Sequence, residues 1–216
     1  MKEGLSGFNP TRYKVAPILF HQGKLFVERW HYTHAIGIAE FLVGMFHETT
    51  LVGVITFGHP SGRTVASSIL QGGTNKEVWE LRRMVLLDSC PRNSESWLIA
   101  KAIKLLKQQC PHVLILIAFA DCNVGHTGLV YKASSWLPYG QTAQEWHYIT
   151  NIGIYVNKRA VWNRSRASHI SEKQQALNEG LTYVKDEPKN RFLRILRPKE
   201  VKNRLSKKVL KCVNTL

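Results

Sequence analysis

The sequence predicts a mixed α/β fold, a mainly central sheet flanked by helices, with a basic C-terminal extension. Three observations predict it. Two apolar runs, Ala39 to Phe46 and Leu51 to Phe57, flank the polar stretch His47-Glu48-Thr49-Thr50 as the arms of a hairpin do. A strand pattern over Val78 to Leu87 precedes the strongest helical periodicity in the chain, Ser94 to Gln109, where Trp97, Leu98, Ala102, Leu105 and Leu106 share a face. The continuous apolar run Val113 to Ala120 then reads as a strand buried on both faces.

The other elements follow from the same rules. After a polar arm ending near Pro10, Ile18 to Trp30 has a helical spacing that Gly23 weakens. Gly58 to Gly73 is a Gly- and Ser-rich loop with a short helix over Thr64 to Leu70. Asn123 to Ser135 is expected as a second core helix, and Trp146 to Val156 and Arg191 to Leu196 as strands. Strand, helix, strand in this order implies a right-handed crossover between adjacent parallel strands, with a ligand site near their C-terminal ends. The length of 216 residues suits one sizeable core, so a single domain is expected over 1–196, centred on 78–136, followed by a basic tail over 197–216.

Charge points to the partner. Thirty Lys and Arg against fifteen Asp and Glu leave a formal charge of +15, which is self-repelling without a polyanion nearby. Between Tyr155 and Leu216 there are sixteen Lys and Arg against five Asp and Glu, so the excess lies toward the C-terminus. Lys199, Lys202, Arg204, Lys207 and Lys208 are therefore the expected contacts to double-stranded DNA or to RNA. No apolar stretch reaches the roughly 18 residues of a membrane helix, and no export signal opens the chain. The four cysteines show no Cys-x-x-Cys pair, as in reduced cytoplasmic proteins. No metal is expected, because His31-Tyr32-Thr33-His34 is the nearest thing to a ligand spacing and is a poor one. The phosphate-binding loop of kinases and ATPases is absent.

Several residues have both a chemical and a packing reading. His31 and Tyr32, in the knot Trp30-His31-Tyr32-Thr33-His34, are either packed loop residues or a base-stacking and acid–base pair. Arg83, inside an otherwise apolar strand, either pairs with Glu80 or meets a phosphate, and Arg82 competes with it for that face. Ser94, Ser96 and Asn93 either cap the strongest helix or hold an anion or an acyl carbonyl at its start. Asp121 follows the buried strand, where it either accepts a proton or hydrogen bond or caps the next helix. Tyr131 lies in that helix, where a tyrosine is commonly core.

The element order resembles the GNAT acyltransferase fold. Within it, Trp30-His31-Tyr32, Glu80-Leu81-Arg82-Arg83-Met84, Ser94-Glu95-Ser96-Trp97 and Asp121-Cys122-Asn123-Val124-Gly125-His126-Thr127-Gly128 look like the Mom proteins of Mu-like phages. That resemblance implies an enzyme of phage DNA modification. It would leave a carbamoylmethyl group on the exocyclic amine of adenine and protect the genome from restriction. It implies roles for His31, Tyr32, Arg83, Ser96, Asp121 and Tyr131, the last protonating a leaving group. A GNAT enzyme of this kind needs an acyl donor. The turn from Ser89 to Ser96 lacks the glycines that let backbone amides approach the pyrophosphate of acetyl-coenzyme A. A carbamoylmethyl group on an amine also has the skeleton of glycine, including a nitrogen that acetate lacks. Glycyl-tRNA is therefore favoured over acetyl-CoA, and tRNA becomes a second nucleic-acid partner. The competing readings are an acetyl-CoA-dependent GNAT enzyme and a non-enzymatic DNA-binding protein.

Overall fold

The structure, a computed structural model, describes residues 8–156 and 158–213, which divide into two compact units. In chain order the elements begin β1 (Tyr13–Pro17), α1 (Phe20–Trp30), β2 (Phe41–His47), β3 (Thr50–Gly58), α2 (Val65–Ile69) and β4 (Val78–Leu86). They continue α3 (Ser94–Gln109), β5 (Ile115–Ala120), α4 (Leu129–Ala133), β6 (Leu137–Gln141), β7 (Trp146–Ile149) and β8 (Tyr155–Val156). Last come α5 (Lys158–Ala167), α6 (Glu172–Asn178), β9 (Thr182–Lys185), β10 (Asn190–Ile195), α7 (Pro198–Val201) and α8 (Lys207–Val213).

The first unit comprises residues 8–119, 128–140 and 191–213. Its seven-stranded sheet has the order β1-β2-β3-β4-β5-β10-β6. The expected hairpin is β2–β3, and both it and β1 run antiparallel to their neighbours, as does β4 to β3. β4 and β5 are parallel, joined through α3, so the sheet is mixed as the crossover requires. Their ladder runs from Val78–Ile115 to Leu81–Ala118, while β4 continues to Leu86 and β5 to Ala120. Past the last rung the two strands are no longer paired, at the ends where a parallel crossover places a ligand site.

Helix α1 buries Phe26 and Val27 against Leu42 and Val54, with Gly23 close to Leu42. A Cβ on Gly23 would meet Leu42 Cδ2 at 2.4 Å, so the glycine that weakens the helix is what lets it approach the sheet. Helix α3 meets the opposite face, where Trp97 lies 6.5 Å from the ring of Tyr13. It buries Leu98, Ile99, Ala102 and Leu106.

The Lys- and Arg-rich segment after Arg197 folds into α7 and α8. Val201, Leu205 and Val209 are buried among Ile69, Leu70, Val78 and Leu193. Val201 closes α7, Leu205 bridges to Leu70 between the two helices, and Val209 lies in α8, an apolar set that the surrounding charges conceal in the sequence. Each such side chain contributes about 1.5–3 kcal/mol of burial. The expected helix over Asn123 to Ser135 is instead a 3-10 turn, Cys122–Val124, and the short α4. Gly125 (φ 78°) and Gly128 (φ 84°) lie between them in the left-handed region, which breaks a continuous helix.

The second unit comprises residues 120–127 and 141–190. Its three strands have the order β8-β7-β9, and the single strand expected over Trp146 to Val156 is the antiparallel pair β7–β8. Gly153 (φ 79°) makes the turn between them. Tyr148, Val161 and Ala176 form its small core beneath α5 and α6. No disulfide joins the four cysteines. Among the described residues no helix is long and apolar enough to cross a membrane.

Candidate active site

The first unit gathers a polar cluster around the end of β4 that extends past its pairing with β5. A β-bulge builds it. Thr56 pairs with Arg83 and Phe57 with Leu81, so Arg82 is the extra residue on β4. An inserted residue offsets the usual alternation of a strand and re-aims side chains. As a result two adjacent arginines converge. A Cβ built on Gly37 would lie 3.6 Å from Arg82 Nη2 and 3.9 Å from Arg83 Nη2.

The partners of these arginines define the cluster. Arg82 Nη1 donates to Ser61 Oγ at 2.6 Å and contacts Glu80 Oε2 at 3.0 Å. Arg83 Nε donates to Ala35 O at 2.9 Å, and its Nη1 to Arg82 O at 2.7 Å. Burial, followed by the like charge of Arg82, lowers the pKa of Arg83. Of the two readings of Arg83, the ion pair with Glu80 falls to Arg82 instead. Glu80 itself is largely buried, and burial raises its pKa despite the opposing effects of Arg82, a backbone bond from Ser61 and Arg83.

Tyr131 of α4 belongs to the same cluster. Its ring packs 5.4 Å from Trp136 and 5.2 Å from Phe192, centroid to centroid. Burial, then the charges of Tyr32 and Glu80, push its phenol well above the ordinary value, so it is held protonated. His31 is buried and stacks on Tyr32 at 4.4 Å. Its Nδ1 accepts from the Thr33 backbone N–H at 3.1 Å, which in the neutral ring assigns the proton to Nε2. Tyr32 and neighbouring Trp30 are both half exposed. The first unit thus brings together Tyr32, Glu80, Arg82, Arg83 and Tyr131, with His31 against Tyr32. This arrangement offers a carboxyl that gains a proton readily, a phenol that retains one, and two guanidinium groups.

Asp121 belongs to the second unit. It caps the 3-10 turn by accepting from Asn123 N at 3.1 Å, and it also takes Asn123 Nδ2 at 2.9 Å and Lys189 Nζ at 3.0 Å. Burial raises its pKa, but the bonds from Asn123 and Lys189 outweigh that and hold the carboxyl below its ordinary range. A carboxylate so held stays ionised and is a weak base. Among the described residues no group of three or more His, Cys, Asp or Glu is placed to hold a metal ion.

The start of α3 lines a cleft of about 570 Å³, with Asn93, Ser96, Trp97 and Ala100 on one side and Ala133, Ser134, Ser135 and Arg194 on another. Asn93, at the N-terminal cap position of α3, adopts the left-handed conformation at φ 77° without a side-chain capping bond, a conformation that glycine more readily supplies. Ser96 Oγ bonds to Asn93 O at 3.0 Å. Ser94 is buried, its hydroxyl bonded to Pro91 O at 2.6 Å, and it does not line the cleft.

The Mom protein family matches residues 12–212. The chain belongs to that family. A relative, the methylcarbamoylase Mom of Escherichia phage Mu, is 30% identical over 131 residues. The match covers 60% of this chain and 54% of that protein, so the chain spans about half the length of the curated relative. Among solved structures, YncA of Salmonella typhimurium, a putative acetyltransferase with its cofactor acetyl-CoA, is 9% identical with a TM-score of 0.47. It covers 86% of this chain and 94% of that one. A GNAT-family acetyltransferase of Streptococcus pneumoniae is 8% identical with a TM-score of 0.48, covering 85% and 98% respectively.

In this Mom family member Glu80 and Arg82 stand beside the expected residues, although the sequence marks Glu80 only as a possible partner for Arg83 and Arg82 only as its competitor for that face. The adjacent arginines in the run Glu80-Leu81-Arg82-Arg83 mark polar residues on an otherwise apolar strand, whereas the bulge itself is set by the pairing with β3. Of the expected nucleic-acid contacts, Lys199, Lys202, Lys207 and Lys208 are exposed. Arg204 is half-buried, donating to Glu77 Oε1 at 2.7 Å and to Gln71 O at 3.4 Å, and so helps to hold α7 and α8 in place.

Proposed function

We propose that this Mom family member is a GNAT-like acyltransferase that modifies adenine in double-stranded DNA at its exocyclic amino group, using glycyl-tRNA as donor. The observation that carries the reading is the partly buried cluster of Glu80, Arg82, Arg83 and Tyr131 in a chain whose Mu relative is named a methylcarbamoylase. Such a cluster suits acyl transfer. The adenine nitrogen attacks the ester carbonyl of the donor, the N–C bond forms and the C–O bond to the terminal ribose breaks. Glu80 takes the amine proton, Tyr131 supplies the proton to the departing ribose oxygen, and the guanidinium pair offsets charge on the carbonyl oxygen.

Tyr32 and Trp30, half exposed beside this cluster, suit a base taken out of the duplex and held by stacking. Ser96 and Asn93, on the cleft at the start of α3, suit the donor end. The glycine-free turn, with Asn93 as its only left-handed residue at the cap and Ser94 buried, fits poorly with close wrapping of a coenzyme A pyrophosphate, and supports glycyl-tRNA over acetyl-CoA. The glycyl amide formed is an isomer of the carbamoylmethyl amine, and a rearrangement that exchanges the two nitrogens completes the change without further atoms. The reaction belongs in the host cytoplasm, where the product protects phage DNA from restriction.

Mass spectrometry of adenosines from plasmid DNA in cells making the protein tests this. A carbamoylmethyl adenosine carrying label from glycine is expected. Unmodified adenine overturns the activity, and label from acetate alone overturns the donor.

A further inference from the structure

The segment between α1 and β2, His31 to Glu40, has no regular element yet is pinned along its length. Arg83 Nε donates to Ala35 O at 2.9 Å. Ile36 joins Phe26, Val27, Leu42 and Val54 in the core, and Ala39 packs against the same cluster. The Glu40 N–H donates to Phe57 O at 2.8 Å, and Glu40 Oε1 lies 3.0 Å from His59 Nε2. The backbone from Ile38 to Glu40 lies directly on Gly58, where a built Cβ would stand 3.3 Å from Ile38 O and 3.4 Å from Glu40 N.

Ile38 projects from this anchored backbone. It is 54% exposed, although Ile36 before it and Ala39 after it are packed. Its position distinguishes it from the single apolar residues that any protein surface carries. Gly37, the preceding residue, lies beside the guanidinium groups of Arg82 and Arg83, and Gly58, against the Ile38 carbonyl, pairs with Glu80. The side chain therefore stands at the rim of the Glu80 cluster. Trp30 and Tyr32, both half exposed, lie at the start of the same segment. As a β-branched residue, Ile38 is also stiff at χ1, so a fixed backbone gives a fixed side chain.

We propose that Ile38 is a wedge that enters the base stack of duplex DNA and fills the space left by the adenine as it turns out toward Tyr32 and the Glu80 cluster. The inference rests on the reading of adenine in DNA as the substrate. A base leaves a duplex only by unstacking from its neighbours, and an apolar side chain inserted between them replaces part of the lost contact. A stiff side chain on an anchored backbone does so with little loss of its own freedom. The formal charge of +15 favours a polyanion over a protein, and one projecting side chain is far smaller than the surface a protein partner needs. Ile38 is a positioning residue, because it acts on how readily the base leaves the helix and not on bond making.

The test uses the full chain, adenine modification of plasmid DNA in cells, and two dye-labelled duplexes built around a site that the wild type modifies. In one duplex the target adenine is paired, and in the other it faces an abasic site, where it leaves the stack easily. Ile38→Ala is expected to lower both plasmid modification and affinity for the paired duplex on the order of tenfold. Opposite the abasic site the loss should shrink to less than about twofold, because the base no longer needs to be displaced. Ile38→Leu, which keeps the apolar volume, is expected to recover most of the paired-duplex activity, and circular dichroism checks that both variants fold. Wild-type behaviour of Ile38→Ala on paired DNA overturns the proposal. An equal loss on the two duplexes also overturns it, since that marks a wall of the base pocket. In either event intact modification by the wild type leaves the proposed function standing, whereas a wild type that modifies no adenine overturns both.

Discussion

Glu80 of β4 lies within electrostatic reach of Tyr131 of α4, and burial, then the charges of Tyr32 and Glu80, keep the Tyr131 phenol protonated. Burial in turn makes Glu80 itself hold a proton more readily than an exposed carboxyl. The two environments differ in consequence, because a carboxyl with a raised pKa is a better base once ionised, and a phenol with a raised pKa stays available as an acid.

Replacing Tyr131 with Phe removes the acid and keeps the ring that packs on Trp136 and Phe192. Adenine modification is expected to fall by about 10²–10⁴-fold. Thermal melting should stay close to wild type, and a large drop in melting temperature together with the lost activity would refute the assignment of a chemical role.

Glu80→Gln tests the raised carboxyl through stability. The folded state binds the proton more tightly than the unfolded chain, so wild-type stability falls as pH rises from the ordinary value of 4.5 through the raised one. The variant lacks that slope. Denaturant titrations from acid to neutral pH should show its stability improving relative to wild type as pH rises, and a constant difference would contradict the burial argument.

Asp121→Asn separates the two readings of Asp121. Asparagine can still cap the 3-10 turn, so stability at neutral pH should drop by only about 1 kcal/mol. The wild-type carboxylate, its pKa held below the ordinary 3.8, contributes stability above that value that is lost as pH falls through the lowered one. The variant should lack this acid-dependent loss. Retained adenine modification assigns Asp121 to the turn, and abolished modification with unchanged stability assigns its charge to the chemistry.

Leu205→Ala probes the segment beyond Arg197 as core. A loss of about 2–5 kcal/mol is expected in chemical denaturation. Lys207→Ala with Lys208→Ala, on the exposed side of the same region, should change stability by less than about 0.5 kcal/mol and flatten the salt dependence of DNA binding.

The central architecture was legible because it depends on local pattern. The hairpin, the periodicity of α3 and the apolar run of β5 all state their burial in their own residues. Elements whose apolar side chains are diluted by charge were hidden, as Val201, Leu205 and Val209 are among lysines. β1, β6, β9, α5 and α6 were also not foreseen, being short or strongly polar. His31, Tyr32, Arg83 and Tyr131 were singled out by motif, and the first unit brings them together. Glu80 and Arg82 gained their places through a bulge, and a bulge depends on the pairing of β3 with β4, which neither strand specifies alone.

The sheet order has a consequence for assembly. β5 lies between β4, which precedes it, and β10, which follows only after the whole second unit has been synthesised. The strands from β1 to β4 can pair from near neighbours in sequence, whereas β5 waits for a distant one, with the Leu196 N–H closing on Leu114 O at 2.8 Å. Contacts of such long sequence separation form slowly. A chain stalled in translation before β10 therefore exposes one edge of its most apolar strand, and the first unit cannot be completed until the second has emerged.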